Sequence, residues 1–302
     1  MSTQLSLFDV PKSGKRKKLT DDEKYHRKVE FAIQLLRSIP QDCEIELSYS
    51  GGKDSDVILE LAKMAGIPFR AIYKNTTIDP PGTIRHCREK GVEILAPKKT
   101  FFELIREKGM PSRFYRFCCE VLKEYKVCDR AIQGIRRAES TKRAEKYKEP
   151  EICRVYLHKE KARVYLPILE WTDNDVERFI AERGIQCHPL YYDENGNLHV
   201  ERRLGCIGCP LASVNNLQNQ FLIYPKMMRL WIKNAQIYLD THTHTKTYDM
   251  FGGSAYNWMF GRLFATAGKE KYKHIITGGM FHETAIDTKK FLEDYFKIDL
   301  TI

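Results

Sequence analysis

Strand-like and helix-like patterns follow one another along the first hundred residues. Glu44 to Tyr49 predicts a strand, and apolar residues then recur at helical spacing through residues 57–64. A second strand is predicted over 69–73, a helix over 83–90 and a third strand over 92–95. Strands that alternate with helices are typical of an α/β fold with a doubly wound, mostly parallel sheet.

The pattern continues beyond residue 95 and becomes mostly helical towards the end. We predict helices over 100–108, 117–127 and 172–183, strands over 131–135, 155–157 and 163–166, and a mostly helical region over 215–300. Thr20 opens a capping box before an N-terminal helix, and Thr172 is the predicted N-cap of its own helix. The last region is therefore expected to be a helical extension of the α/β domain.

A glycine-rich loop, Ser50 to Ser55, joins the first predicted strand to its helix. Its two glycines allow positive φ, so that successive N–H groups can converge on an anion, and the helix N-terminus adds partial positive charge. The two serines supply hydroxyl donors, Lys53 supplies a point charge, and Asp54 would hold Mg²⁺ or fix the loop. The spacing is not that of a Walker A motif. We therefore predict a phosphate site of another type.

This loop resembles the PP-loop of N-type ATP pyrophosphatases and sulfonucleotide reductases. Further segments are similar to the phosphoadenosine phosphosulfate (PAPS) reductase branch of that group. These segments are Asn75–Pro80, Gly134–Arg143, Pro167–Val176, His188–Tyr191 and Arg203–Pro210. They occur in order and, with the loop, cover roughly residues 40–215. The chain is therefore identified as a member of the PAPS reductase family.

The resemblance implies an adenine nucleotide, ATP or a PAPS-type molecule, above the carboxyl edge of the sheet with its phosphates in the loop. The implied nucleotide-binding residues are Ser50, Gly51, Gly52, Lys53, Asp54, Ser55, Asn75, Thr76, Asp79, Gly134, Arg136, Glu139, Arg143 and Arg203. Lys53 and Asp54 are the candidate catalytic residues, with Mg²⁺ as the candidate cofactor. Arg136 and Arg143 carry planar guanidinium groups suited to bidentate phosphate contacts.

Four of the nine cysteines form two pairs. Cys206 and Cys209 form a C-x-x-C, which alone could be a metal site, a redox pair or neither. Together with the adjacent Cys118 and Cys119 they give the ligand count of a [4Fe–4S] cluster or of a structural Zn²⁺. The pattern resembles that of the cluster-bearing adenylylsulfate reductases. Because neighbouring side chains on a helix point about 100° apart, one of the adjacent pair could instead be free.

The charge balance indicates the class of binding partner, and the cysteine count indicates the cellular compartment. Lys and Arg exceed Asp and Glu by 50 − 40 = 10, which favours anionic partners such as nucleotides or nucleic acid. An odd cysteine count at this density fits a reducing compartment, and we see neither a signal peptide nor a membrane-spanning run. We expect a cytoplasmic protein with a basic flexible arm (1–19), a PP-loop nucleotide-binding domain with the cysteine cluster (20–214) and a helical region packed on it (215–302).

The chain departs from the sulfonucleotide reductases because it has no cysteine after Cys209, whereas those enzymes use one in a C-terminal tail. Its last part is instead basic, with aromatic residues such as Tyr238, Phe251 and Trp258 interleaved. The first hypothesis is an ATP pyrophosphatase that adenylates an acceptor for sulfur incorporation, with nucleic acid as a candidate acceptor, as in DNA-phosphorothioation members. The second is a sulfonucleotide reductase with a relocated or partner-supplied cysteine. The third is a nucleotide-sensing protein whose nucleotide-bound state is recognised by a regulatory partner protein. The first hypothesis also requires a partner that donates sulfur.

Overall fold

One six-stranded sheet carries the α/β fold in the computed structural model, which describes residues 19–156, 159–264 and 286–302. The strands are β1 (Ile45–Tyr49), β2 (Arg70–Lys74), β3 (Glu93–Leu95), β4 (Arg130–Gln133), β5 (Glu151–Val155) and β6 (Lys161–Tyr165). Their order across the sheet is β3-β2-β1-β4-β6-β5, and every neighbouring pair is parallel except β5 with β6. The predicted doubly wound, mostly parallel sheet is confirmed.

Helices connect the strands and build the end of the chain. The earlier ones are α1 (Asp21–Arg37), α2 (Lys53–Ala65), α3 (Thr83–Glu89), α4 (Phe101–Lys108), α5 (Phe117–Leu122), α6 (Thr141–Lys146) and α7 (Asp173–Arg183). The later ones are α8 (Val214–Ile223), α9 (Pro225–Thr241), α10 (Lys246–Phe251), α11 (Ala255–Phe264) and α12 (Thr288–Phe296). The predicted helical C-terminal region is therefore present. None of the helices in the described ranges is long and apolar enough to cross a membrane.

The order of the strands reverses at β1. Leu47 of β1 is in register with Ala71 of β2 on one side and with Ile132 of β4 on the other. The chain therefore leaves β1 towards one edge of the sheet and returns at β4 to build the other. In open parallel sheets such a reversal opens a crevice at the carboxyl ends of the two strands, and ligands bind there.

The middle strands and the helices beside them share one apolar core. Leu47 and Ile132 from the strands are buried together with Leu36 of α1, Leu61 of α2 and Phe179 of α7. Nearly continuous burial along β1 is typical of a parallel strand that is covered on both faces. This core fixes where the loops after β1 and β4 begin.

The described chain divides into two compact units, each with its own core. The first contains the sheet and comprises residues 19–75, 81–96, 124–156 and 159–204, and the second comprises 76–80, 97–123, 205–264 and 286–302. Trp231 of α9 lies at the centre of the second core, fully buried against Phe101 of α4 and Phe221 of α8. Both cysteine pairs belong to this second unit.

Some predicted boundaries differ from those of the structure. The helix predicted over 117–127 ends at Leu122, because Lys123 leaves the helical region with φ −128° and ψ −40°. β5 covers Glu151–Val155 rather than 155–157. It is an edge strand that pairs only with β6, and its residues alternate between exposed and half-buried, so it has no apolar run to mark it. Residues 1–18 of the predicted basic arm lie outside the described residues.

Replacing Thr172 with Ala should destabilise the protein by about 1 kcal/mol. Thr172 Oγ1 accepts from Asp175 N at 3.2 Å, and Asp175 Oδ2 accepts from Thr172 N at 2.7 Å, so the residue predicted as the N-cap of α7 forms a full capping box. Thermal unfolding followed by circular dichroism should give a lower melting temperature. Thr241→Ala, at an exposed position of α9, is the control and should melt close to the wild type. Equal melting temperatures for the two variants would contradict the role of the cap.

Candidate functional site

The loop after β1 adopts a conformation that only glycine allows at its centre. Gly51 has φ +78°, and a Cβ there would lie 2.9 Å from Thr83 Cγ2. Gly52 is the N-cap of α2 and makes no side-chain cap bond, while Ser55 Oγ donates to its carbonyl at 2.6 Å. Ser50 Oγ lies 3.3 Å from Ser55 Oγ. The positive end of α2 therefore faces the carboxyl edge of the sheet without a side-chain cap, a geometry suited to phosphate.

A chain of charged groups holds the loop in place. The Nζ of Lys53 lies 3.1 Å from Asp54 Oδ2, and Arg136 Nε donates to Asp54 Oδ1 at 2.7 Å. The Arg136 guanidinium is buried and also donates to Asp173 Oδ1 at 2.8 Å and to Trp171 O at 3.4 Å. The sequence predicts that Arg136 contacts phosphate, whereas in the structure its fork is occupied by these protein groups. In the structure Arg136 thus contacts Asp54, and Asp54 contacts Lys53 of the loop, while the phosphate contact of Arg136 stays a prediction.

Gly134 brings the end of β4 against the same loop. A Cβ on this residue would lie 2.9 Å from the carbonyl oxygen of Asp54, closer than real Cβ atoms come. The motif marked Gly134 as a nucleotide contact, and the structure gives it a packing reason. Two backbones approach here more closely than any side chain would permit.

Positive charge is in excess beside the loop. The Arg143 guanidinium pairs with the Glu139 carboxylate, and Arg203 Nη2 donates to the Glu139 carbonyl at 2.8 Å. Burial lowers the pKa of Arg143, and the neighbouring charges of Arg203 and Arg136 lower it further, although Asp54 acts in the opposite sense. A bound anion would stabilise the charged form of Arg143 against its burial and the neighbouring cations.

The predicted contacts that follow β2 fall into two groups. Asn75, in the first unit, donates its backbone N–H to Leu95 O at 3.0 Å. Thr76 and Asp79 belong to the second unit, where Thr76 Oγ1 donates to Asp79 Oδ2 at 2.6 Å. Thr76 Oγ1 also lies 3.6 Å from the Sγ of Cys206. The structure thus places these two residues among the cysteines.

All four paired cysteines line one small cavity of about 20 Å³ in the second unit. Its other walls are Thr76, Ile78, Phe101, Leu122, Lys123, Gly208, Pro210 and Trp231. Both cysteines of the adjacent pair reach it, although they are neighbours on α5. In the described ranges, however, no three or more His, Cys, Asp and Glu side chains are grouped so that they could hold a metal ion. The thiols fit a cluster or Zn²⁺ by type and by their shared cavity, but not by their present spacing.

Two cations accompany these thiols. Burial raises the pKa of Cys206 to about 12, against the opposing charge of Lys123. Burial also lowers the pKa of Arg262 to about 10, while the nearby Cys209 and Cys118 act to raise it. At neutral pH Cys206 is therefore a protonated thiol unless a ligand takes its proton.

Comparison with known proteins decides the family. The model of the phosphoadenosine phosphosulfate reductase domain matches residues 44–212, more than half of the chain. The chain belongs to the PAPS reductase family. This family lies within the PP-loop superfamily, so the resemblance of the loop is confirmed.

Relatives of this PAPS reductase family member are distant. An uncharacterised protein of Methanocaldococcus jannaschii is 27% identical over 66% of this chain and 42% of its own length. Sulfate adenylyltransferase subunit 2 of Hyphomonas neptunium is 27% identical over 53% of this chain and 59% of that subunit. The crystal structure of PAPS reductase from Candida auris in its phosphate complex is 15% identical, covers 64% of this chain and 98% of its own, and has a TM-score of 0.41. The chain thus spans about half the length of the curated relatives it matches.

Tyr191 has a place in the site that the motifs of the PAPS reductase family did not assign. Its hydroxyl accepts from Leu204 N at 3.3 Å, and the Nζ of Lys53 lies 5.6 Å from the centre of its ring. Burial raises the pKa of Tyr191 to about 12. The His188–Tyr191 motif was the only sequence signal, and it indicated family rather than role.

A buried polar network below the loop was also missed. Asp56 of α2 accepts from the Tyr49 hydroxyl, and its Oδ1 lies 3.0 Å from Nε2 of His86. The ring of His86 packs edge-on against that of His188, with centroids 5.8 Å apart. Burial lowers the pKa of His188, and the charge of His86 lowers it further. These contacts join β1, α2 and α3, and nothing in the sequence spacing of their residues predicts them.

Replacing Arg136 with Lys should cost roughly 2–3 kcal/mol of unfolding free energy, since one ammonium group cannot replace the bonds of a buried fork to two carboxylates. Urea unfolding of the purified chain measures the loss. Arg163→Lys is the matched control, because Arg163 forms an exposed ion pair with Glu151 and should change stability by less than about 0.5 kcal/mol. Similar losses for both variants would show that the Arg136 contacts contribute no more than a surface pair.

Proposed function

We propose that the protein is an enzyme of the PP-loop type that uses ATP to adenylate an acceptor and releases pyrophosphate, as a step in sulfur incorporation. One observation carries this proposal: the uncapped N-terminus of α2, with the glycine loop and Lys53, lies at the crevice where the strand order reverses. The excess positive charge of Arg143 and Arg203 supports it. The relative named sulfate adenylyltransferase subunit 2 supports adenylyl transfer from ATP rather than another use of the fold.

Adenylyl transfer requires mainly that the enzyme position ATP and the acceptor and neutralise the charge of the phosphates. An acceptor oxygen attacks the α-phosphorus, the bond from that phosphorus to the bridging oxygen of the β-phosphate breaks, and pyrophosphate leaves with the electron pair. The N–H groups at the start of α2 and the ammonium of Lys53 would bind the phosphate oxygens whose charge grows in the transition state. Arg143 would bind the leaving pyrophosphate or the α-phosphate.

Asp54 would act by holding Lys53 in place rather than by touching the reacting atoms. Its two carboxylate oxygens face Lys53 and Arg136, so the ammonium group is pinned beside the loop before the nucleotide arrives. Such preorganisation removes the cost of ordering the side chain during the reaction. Mg²⁺ bound to the triphosphate would supply further neutralisation of its charge, and Asp54, the carboxylate of the loop, would have to exchange its contact with Lys53 to hold the ion.

A sulfur nucleophile delivered by a donor protein would then displace AMP from the adenylated acceptor. The basic balance of the chain favours an anionic acceptor, and nucleic acid is the class that we propose. The other hypotheses remain distinguishable, because a sulfonucleotide reductase would release sulfite and a nucleotide sensor would release no product.

Product analysis with ATP, PAPS and adenylylsulfate side by side tests the proposed function. Incubation with ATP and Mg²⁺ should yield AMP and pyrophosphate, with water as the default acceptor. Lys53→Ala should weaken ATP binding by about 1.5–3 kcal/mol, the range of a charge-assisted contact, and should lower pyrophosphate release with it. Lys63→Ala is the control, since Lys63 is exposed on the last turn of the same helix.

Three results would speak against this proposal. Sulfite release from PAPS or adenylylsulfate in the presence of a thiol would favour a reductase. Tight nucleotide binding without any product would favour a sensor. Equal ATP affinity for Lys53→Ala and Lys63→Ala would mean that the loop is not the phosphate site.

We also propose that Cys118, Cys119, Cys206 and Cys209 hold a [4Fe–4S] cluster, with Zn²⁺ as the alternative. The support is that four soft ligands line one cavity. Protein purified without oxygen should be brown, with a broad absorbance near ~400 nm and iron and sulfide in equal amounts. Cys206→Ala should lose the colour, and Cys153→Ala, at an exposed position, should keep it. Colourless protein with stoichiometric zinc would establish the alternative instead.

A further inference from the structure

A second and much larger cavity opens within the second unit. Its volume is about 1000 Å³, at the upper end of what pockets for one small ligand reach. It is lined by the end of α4 and the segment that joins α4 to α5, by the residues from Pro210 into α8, and by parts of α9, α10 and α11. We call it the basic groove. It brings together Arg262 and three aromatic residues of the C-terminal region, Tyr238, Phe251 and Trp258, which the proposed chemistry does not use.

Every charged side chain that lines the basic groove is a cation. These are Lys108, Arg113 and Arg262, and none of the described residues that line it is acidic. Both arginines donate to backbone carbonyls rather than to carboxylates: Arg113 Nη2 to Ala212 O at 3.1 Å, and Arg262 Nη1 to Pro111 O at 2.7 Å. A carbonyl carries no net charge, so these contacts orient the guanidinium groups and leave the positive charge of Arg113 uncompensated by the groups that it bonds, whereas Arg262 also lies near Cys209 and Cys118. The groove is therefore complementary to an anion.

Aromatic rings supply the rest of the lining. Tyr115, Tyr238, Phe251 and Trp258 all face the groove. The rings of Phe251 and Trp258 are already stacked on each other, with centroids 5.2 Å apart and 15° between their planes. Tyr115 is 51% exposed at the rim. Next to it along the chain, Phe114 is fully exposed. Large exposed rings beside uncompensated cations favour a ligand that has both flat faces and negative charge.

The walls of the groove are held by hydrogen bonds before any ligand arrives. Arg113 ties the α4–α5 segment to the residues after Cys209, since its Nε also donates to Pro210 O at 3.3 Å. Within that segment Ser112 N donates to Tyr115 O at 3.0 Å and closes a turn. A groove whose walls are already ordered loses less entropy when it binds.

We propose that the basic groove binds a single strand of nucleic acid, with bases against its aromatic rings and phosphates beside Lys108 and Arg113. A single strand presents its base faces to such rings, whereas a duplex keeps them stacked inside. The volume exceeds the need of one mononucleotide and allows more than one base to enter. The inference rests on the proposed function and deepens it, because it names single-stranded nucleic acid as the acceptor and gives its binding place.

Binding of a labelled single strand to the full chain tests the proposal. A fluorescein-labelled oligothymidylate of about twelve nucleotides is titrated with the protein, without ATP or Mg²⁺, and fluorescence anisotropy is recorded at several salt concentrations. We expect binding of the labelled strand to weaken as the salt concentration rises. An unlabelled single strand should displace the labelled one far better than a duplex of the same length or AMP does.

Two pairs of variants locate the site. Lys108→Gln should weaken binding and lower the salt dependence by about 0.7 in log–log slope, the share of one phosphate contact on a single strand. Lys226→Gln makes the same charge change at an exposed position of α9 outside the groove and should leave binding unchanged. Tyr115→Ala should weaken binding about tenfold, and Tyr115→Phe, which keeps the ring, should restore it.

Four results would overturn the proposal. They are the absence of salt-sensitive strand binding, equal effects of Lys108→Gln and Lys226→Gln, competition by AMP as strong as that of the strand, and equal or better competition by the duplex. Sedimentation of the chain alone provides a fifth test. If the chain self-associates and Tyr115→Ala abolishes the self-association, the groove binds a second copy of the chain rather than a nucleic acid. Because strand binding is measured without ATP and pyrophosphate release is measured without a strand, either can fail while the other stands.

Discussion

The pairing of Arg136 with Asp54 is the contact on which the arrangement of the loop depends. It joins the end of β4 to the start of α2, and Gly134 allows the two backbones to come close enough for it. Asp54 in turn holds Lys53, so the group best suited to meet a phosphate is positioned through a carboxylate that repels phosphate. The cost of that repulsion is offset because both oxygens of Asp54 face cations, which leaves the positive end of α2 as the dominant field.

The chain has a net charge of +10, and its arginines differ in how far carboxylates balance their charge. Arg136 is buried and fully engaged with protein groups, and its charge is balanced by Asp54 and Asp173. Arg143 pairs with the Glu139 carboxylate and Arg203 donates to the Glu139 carbonyl, while burial and then the charge of Arg203 lower the pKa of Arg143. In the second unit Arg113 donates to the carbonyls of Pro210 and Ala212 and forms no ion pair with another described residue. Among the described residues, positive charge that these contacts do not balance is found beside the loop and in the basic groove, and an anion would be stabilised at either place.

The sequence predicted the fold and the position of the loop, because both depend on local signals. Periodicity marked the strands and helices, and glycines between a strand and a helix marked the loop. The sequence did not predict contacts between residues that are far apart in the chain. Asp173 of α7 bonds Arg136, and Asp56 of α2 contacts His86, which lies thirty residues later in the sequence. The edge strand β5 was misplaced because it has little apolar surface to reveal it. The sequence therefore predicted which residues lie in the loop, but not which distant side chains they contact in the fold.

The cysteine cavity and the basic groove are neighbours in the second unit, and Arg262 contacts residues of both. Arg262 lines the groove, and its Nη2 donates to Gly208 O between the two cysteines of the C-x-x-C at 2.5 Å. Its guanidinium also lies over the ring of Trp231, which forms part of the cysteine cavity. Pro210 borders both spaces. The guanidinium that lines the groove is thus held by the backbone of the C-x-x-C segment, so the same short loop builds a wall of the cysteine cavity and orients a cation of the groove.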